Sequence, residues 1–265
     1  MPFVFRTTKF HVRNMSSSVL FALFLIISLH PKLALNTNPL VIYSALVTLI
    51  LFTIIPDFTP ISLLIKHVSL FHIGEFLFVK YFHNETLSFD SFLLNNSVAY
   101  TLCMLLSFCE HFFSLTNIFH SSTVWVGLTV ATLGIIIRWL ALYTAGNNFT
   151  HQISHQKKSQ HSLVTGGIYA VSRHPGYAGW FWWTLGLQVL VGNCFCLCLF
   201  AWVSWRFFRN RILFEEHLLV EFFGHEYVIY RDSVSVGIPF ISDFAFCVLA
   251  SWWCVPRSSR TSLSD

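Results

Sequence analysis

Six long apolar stretches, at residues 40–55, 61–82, 92–113, 124–143, 177–191 and 195–208, constrain this chain more than any other feature. Several approach the roughly 20 residues that cross a bilayer as a helix. Strands of a membrane barrel alternate lipid-facing and lumen-facing residues, whereas these stretches are continuous, so they read as helices. Composition agrees. Of 265 residues, 55% are hydrophobic and 11% charged, against about 25% charged in a soluble domain. That leaves too little polar surface to cover a water-soluble globule. A soluble enzyme, a disordered chain and a free nucleic-acid-binding domain are excluded. The net charge of +4 is too small to argue for nucleic acid. The Lys and Arg gather in a few short segments, which suits cytoplasmic loops and anionic headgroups. The expectation is an all-α integral membrane protein with about 7 (6–8) transmembrane helices.

The front of the chain leaves two readings open. Residues 1–18 are basic, with Arg6, Lys9 and Arg13, and residues 19–29 are apolar, ended by His30-Pro31-Lys32. This fits a secretory signal or a first span. Five crossings before residue 146 would put the N-terminus outside, while the basic start argues for inside. Further on, the link Gly192-Asn193-Cys194 between two apolar stretches predicts a tight antiparallel helical hairpin. Cys103, Cys109, Cys194, Cys196, Cys198, Cys247 and Cys254 do not pair with a nearby His at metal spacing. They are expected to be reduced, buried apolar residues, with no metal bound.

Ionisable residues are expensive inside a membrane protein, so dense clusters mark sites. Two polar stretches, 146–176 and 206–237, break the apolar pattern, and the second holds Glu215, Glu216, Glu221, Glu226 and Asp232 of the 12 Asp and Glu. By the positive-inside tendency both face the cytosol. The first contains Arg173-His174-Pro175-Gly176-Tyr177, in which Gly lets backbone approach a ligand and Pro fixes the chain before a helix. Such a turn can hold a polar cofactor. It can equally be a loop that caps a helix where the chain meets the membrane, with Arg173 reaching up to phosphates. In the second stretch Arg211 and Glu215 stand at i and i+4 and share a helix face, with Glu216 about 100° around.

His72 and Glu75, one turn apart, are expected to form a mutually hydrogen-bonded pair tying helices together; a bridge to the polar region is the other reading. Glu110, His111 and Arg138 take the same structural reading. Asn84, Asn95 and Asn148 begin glycosylation-type triplets, which arise often by chance.

From His161 to Ile241 the chain resembles the protein-S-isoprenylcysteine O-methyltransferase family. The elements are Leu163-Val164-Thr165-x-Gly167-x-Tyr169, Arg173-His174-Pro175-x-Tyr177-x-Gly179-Trp180 and Arg206-Phe207-Phe208-x-x-Arg211. They continue with Glu215-Glu216, Phe222-Phe223-Gly224-x-x-Tyr227 and Gly237-Ile238-Pro239-Phe240-Ile241, in the family's order. The likeness extends upstream through Thr144 to Phe149, Asp90 to Asn95 and Leu70 to Glu75. An Arg-His-Pro-x-Tyr alone would be weak, since sterol reductases and phospholipid methyltransferases carry similar loops.

The resemblance implies an S-adenosylmethionine-dependent enzyme of the endoplasmic reticulum that methylates the C-terminal carboxylate of prenylated C-a-a-X proteins, small GTPases among them. It further implies that His161, Ser162, Leu163, Val164, Tyr169, His174, Pro175, Gly176, Tyr177 and Glu215 hold the cofactor in a cytosol-facing pocket. Arg211 would meet the substrate carboxylate, and Arg211 and Glu215 would be the catalytic pair. Relatives often carry Gln where this chain has Ser154, also a cofactor contact. Asn193-Cys194 replaces the family's usual Asn-Pro. The implied organisation is N-terminal transmembrane helices over 1–145, a catalytic region over 146–241, and a short apolar segment with a disordered tail over 242–265.

A terminal carboxylate is already ionised at neutral pH, with a pKa of about 3.3–3.7, so methylating it needs no general base. The lipid chain is expected to enter sideways between helices. Trp180, Trp182 and Trp183 read first as interface anchors. A nicotinamide-dependent reductase would usually place Asp where Trp180 stands. Phospholipid N-methylation would leave Arg211 with no anion to hold. A transporter or scaffold would leave the polar segments unexplained.

Overall fold

The computed structural model describes residues 59–84, 87, 89–93, 97–113, 121–149 and 162–241. The runs at 19–29 and 40–55, Ser154, His161, Asn95, Cys247, Cys254 and the segment 242–265 lie outside the described residues.

Among these residues the chain is helical, without strands: α1 (Pro60–Phe82), α2 (Val98–Phe112), α3 (Ser121–Ala145), α4 (Pro175–Val191), α5 (Cys194–Phe223) and α6 (His225–Ser233). α1 starts where Thr59 accepts a hydrogen bond from Ser62 N and Pro60 occupies the first turn. Ser97 caps α2 in the same way, through Tyr100 N. The apolar stretch 92–113 therefore does not form one helix. Residues Phe89–Phe92 make a separate 3-10 turn, and α2 has 15 residues. Two helical segments, Pro60–Phe82 and Ser122–Asn148, are long and apolar enough to cross a membrane.

α4 is the central helix. It is apolar around most of its circumference, as a helix enclosed by others must be, and most of its residues are buried. It packs against α3 at backbone distance. A Cβ added at Gly134 would lie 2.5 Å from Trp183 N, one at Gly179 2.6 Å from Arg138 N, and one at Gly186 2.4 Å from Ala131 N. Rising numbers in α3 meet falling numbers in α4, so the two run antiparallel. Without a hydrophobic drive between helices in lipid, such small-residue contacts supply the van der Waals packing that holds them. The room beside Gly134 is taken by Trp183, fully buried and stacked on Phe71 of α1 with ring centroids 4.1 Å apart. Trp183 is thus a core residue and not an interface anchor. Trp182 stays at the surface.

The hairpin between α4 and α5 turns at Gly192, whose φ of 73° is the left-handed cap that favours glycine. The start of α5 is capped from another helix: Glu110 of α2 accepts from Phe195 N at 2.9 Å and Cys196 N at 2.7 Å. α5 then continues for 30 residues through the polar stretch, because it meets no breaker before Gly224. Its buried residues Cys196, Phe200, Ser204, Phe208, Ile212 and Glu216 recur every fourth position, one stripe against the bundle. Cys109 and Cys198 are exposed, unlike buried Cys103 and Cys196. An apolar thiol needs no burial on a helix surface that faces lipid.

After α6 the chain returns as a strap. Ile238 and Ile241 pack on Phe181 and Phe208, and the indoles of Trp182 and Trp205 donate to Gly237 O and Pro239 O at 3.4 and 3.0 Å.

Candidate active site

The start of α4, the second half of α5 and α6 enclose a cavity of about 160 Å³. Of the residues singled out by sequence, Ser162, Leu163, Val164, Tyr169, His174, Pro175, Gly176, Tyr177 and Glu215 line it. Arg211 stands beside it, one turn before Glu215, and its Nε donates to the Tyr177 hydroxyl at 2.9 Å. Tyr177 and Glu215 both line the cavity, so a cavity phenol is tied directly to Arg211.

Adjacent glutamates on α5 do different things because a helix turns about 100° per residue. Glu216 lies on the buried stripe and is 2% exposed. Its Oε1 accepts from Arg173 Nε and pairs with His174 Nε2 at 3.1 Å. Burial alone would raise its pKa. The hydrogen bonds and charges of His174 and Arg173 outweigh burial and hold the carboxyl below the ordinary carboxylate range. Arg173 also donates from its backbone N to Ser235 O at 2.9 Å, and from Nη1 to Arg231 O at 3.2 Å and to Val234 O. Arg173 is therefore a buried part of the cavity wall and does not reach up to lipid phosphates. It clamps the α6 strap to the turn that opens α4. Tyr230 adds a hydrogen bond to Tyr169 O at 2.6 Å, and Ser172 one to Val236 O at 2.7 Å.

Glu215 points the other way. Its Oε2 is buried without a hydrogen-bond partner, and His174 Nδ1 is 3.8 Å away, beyond hydrogen-bond reach. A buried carboxylate oxygen left open costs roughly 1–3 kcal/mol or more. An open carboxylate oxygen of this kind can take a charge-assisted bond from a cationic group. Tyr169 and Tyr227 line the same space, and burial first, then neighbouring carboxylates, pushes both phenols up. Both stay protonated donors, and the Tyr227 hydroxyl is likewise buried without a partner.

Leu218, Leu219, Phe222, Phe223, Tyr227, Asn148 and Phe149 also line the cavity, and sequence reasoning assigned them no part in it. The signal was present for some. Arg211, Glu215, Leu218 and Phe222 follow i, i+3/i+4 spacing on a continued α5. Asn148 was unreadable in advance, since its Oδ1 accepts at 3.0 Å from the N of Ser162, far along the chain.

The His72–Glu75 expectation changes too. His72 engages Phe92 O at 2.7 Å and Tyr100 at 3.3 Å, and Glu75 grips Arg138 of α3. Glu110 and His111 tie to the α4–α5 turn, His111 through Val191 O at 3.2 Å.

Residues 125–221, which span most of α3 to most of α5, match the Isoprenylcysteine carboxyl methyltransferase (ICMT) family. The chain is 44% identical over 180 residues to the protein-S-isoprenylcysteine O-methyltransferase of Homo sapiens, covering 66% of this chain and 63% of that protein. It is 43% identical over 174 residues to that of Dictyostelium discoideum, covering 64% and 73%. With that of Saccharomyces cerevisiae it shares 39% identity over 195 residues, covering 69% and 81%. The match thus spans about 63% of the length of the rat, mouse and human relatives. The solved structure of the eukaryotic intramembrane Ras methyltransferase ICMT superimposes with a TM-score of 0.65 at 30% identity, covering 86% of this chain and 94% of that one. Sequence match and backbone superposition fall on the helices that build the cavity, and the chain belongs to the isoprenylcysteine carboxyl methyltransferase family.

Proposed function

We propose that this protein is a multi-pass membrane methyltransferase that transfers a methyl group from S-adenosylmethionine to the C-terminal carboxylate of a prenylated cysteine. Its substrates are C-a-a-X proteins of the small GTPase type. It works in the endoplasmic reticulum membrane with the cavity facing the cytosol. The observation that carries this is the α5 face on which Arg211, bonded to the cavity-lining Tyr177, stands one turn before the cavity-lining Glu215. One residue suits an anionic acceptor and the other a cationic donor.

The cavity suits that donor. The open Glu215 Oε2 matches its amino group, Tyr169 and Tyr227 offer hydroxyls, and Phe149, Leu219 and Phe222 offer apolar walls. His174 to Tyr177, Ser162 to Val164 and, from the family pattern, His161 complete the set, with Ser154 at the position where relatives carry Gln. When bound, S-adenosylmethionine supplies an electrophilic methyl on a sulfonium.

The chain's own residues do the rest. Arg211 orients the acceptor carboxylate, leaving one oxygen to face the methyl; a planar guanidinium does this better than a lysine. No residue has to remove a proton, because the acceptor is already ionised. The apolar wall keeps out water, which would blunt the carboxylate as a nucleophile. Alignment of this kind supplies about 7–11 kcal/mol in favourable model reactions. Arg173, Glu216 and the strap touch no reacting atom and keep the α4 turn in place.

Microsomes containing the protein, given labelled S-adenosylmethionine and N-acetyl farnesylcysteine, should form base-labile methyl ester. The ester should vanish in Arg211→Ala at unchanged expression. Label in phospholipid, or turnover that needs a nicotinamide cofactor, would refute the assignment.

A further inference from the structure

We propose that the intramembrane pair Glu75–Arg138 is a positioning device for the methyl-donor cavity, setting the distance between the first turn of α4 and Phe149. The proposal rests on the reading of the cavity given above.

Both charges lie in helices long and apolar enough to cross a membrane, and they are 0% and 5% exposed. The carboxylate meets the guanidinium as a fork. Arg138 Nε donates to Glu75 Oε1 at 2.8 Å and Nη2 to Oε2 at 2.9 Å. That fork is enough to tie α1 to α3. It also aims the third nitrogen. Nη1 reaches out of the pair to α4 and donates to Gly176 O at 3.2 Å. The same guanidinium lies over the Phe149 ring, 5.2 Å from its centroid.

Gly176 and Phe149 both line the cavity. One side chain thus touches two separate walls of the site from behind. The fit has no slack. A Cβ at Gly176 would lie 3.2 Å from Nη1, and one at Gly179 would collide with the Arg138 backbone. Glu75 neutralises the pair and fixes the plane of the fork, so the direction of Nη1 is set by a residue of α1 that the cavity never meets.

A charge pair is a poor choice for helix packing alone. Buried pairs replaced by apolar residues of similar volume are often as stable or more so. What apolar residues cannot supply is the donated bond to Gly176 O. This separates the two roles experimentally.

The test uses the full chain in detergent, with binding of S-adenosylhomocysteine by calorimetry as the main readout. The double variant Glu75→Leu with Arg138→Met removes both charges and keeps volume. Its helicity and Tm should stay near parental. Its Kd for S-adenosylhomocysteine should rise about tenfold, the scale of one lost charge-assisted bond. The KM for S-adenosylmethionine should rise alongside, while the KM for N-acetyl farnesylcysteine changes less than about twofold. If the double variant fails to fold, Arg138→Lys keeps the charge balance without the three-way fork and should show the same rise at parental Tm. Parental Kd in either folded variant overturns the proposal. A parental chain that binds no S-adenosylhomocysteine overturns the donor reading itself, and the positioning role with it.

Discussion

At its N-terminal end α4 emerges from His174 and Pro175 beside Glu215, a carboxylate with a buried oxygen that accepts no hydrogen bond. At its C-terminal end, past Gly192, it meets Glu110, whose two oxygens are given to the amides of Phe195 and Cys196. Both carboxylates belong to neighbouring helices: Glu215 lies on α5, and Glu110 of α2 caps the start of α5 just past the end of α4. The first opens onto a cavity, while the second completes the backbone bonding of a helix start, where amides would otherwise go unpaired. Burial of charge therefore does not by itself mark a site; an unsatisfied buried oxygen facing empty space does.

Exchanging each carboxylate for an amide separates the two ends most strongly. Glu215→Gln should lower kcat/KM for S-adenosylmethionine by about 10- to 10²-fold, as loss of a charge-assisted bond to the donor does, with Tm unchanged. Glu110→Gln should do the reverse, costing about 1–3 kcal/mol of stability with the activity of each folded molecule intact. A Glu110→Gln protein that is fully stable yet inactive would end the distinction. Thermal unfolding read beside steady-state kinetics decides it.

Gly134 lies between the two ends and tests whether α4 is a shared strut. Gly134→Val would place side-chain atoms into the Trp183 backbone. Overpacking typically costs about 1–3 kcal/mol or more. The expected outcome is a lower Tm, together with a raised KM for S-adenosylmethionine, since the first turn of α4 moves with the helix.

Glu216 sharpens the contrast within one end. Its folded pKa is held below the ordinary value, so its contribution is present above about pH 4.3 and is lost as pH falls through the folded value. The Tm difference between the parental chain and Glu216→Gln should be constant near neutrality and shrink on acidification below about pH 4. A difference that widened on acidification would reverse the assigned direction. The smallest effect belongs to Tyr230→Phe, which removes the bond to Tyr169 O and should cost about 1 kcal/mol. That is a shift of a few degrees, with little change in KM.

Much of this was legible in the sequence. α1 and α3 follow from unbroken apolar runs, the hairpin from Gly192-Asn193, and the shared face of Arg211 and Glu215 from helical spacing. What was not legible depended on partners far along the chain. Arg173 read as a surface cation because nothing nearby balances it, and its partner Glu216 is 43 residues away. Trp183 read as an interface anchor because the ring it stacks on, Phe71, belongs to a helix far back along the chain. α5 was divided at residue 208 because hydropathy falls there, yet helix formation needs only compatible residues, and the polar segment has them. Glu75 and Arg138, 63 residues apart, read as separate oddities until the fold brought them together.

On the function proposed here, one helix face presents an acceptor-binding cation, Arg211, and a donor-binding anion, Glu215, side by side. Steady-state kinetics on Arg211→Ala and Glu215→Gln, varying each substrate in turn, test it most directly. Arg211→Ala should raise the KM for N-acetyl farnesylcysteine and leave the Kd of S-adenosylhomocysteine within about twofold. Glu215→Gln should raise that Kd and leave the KM for the acceptor near parental. If both substitutions weakened the same substrate, or neither weakened either, the assignment of the two residues to two substrates would be contradicted.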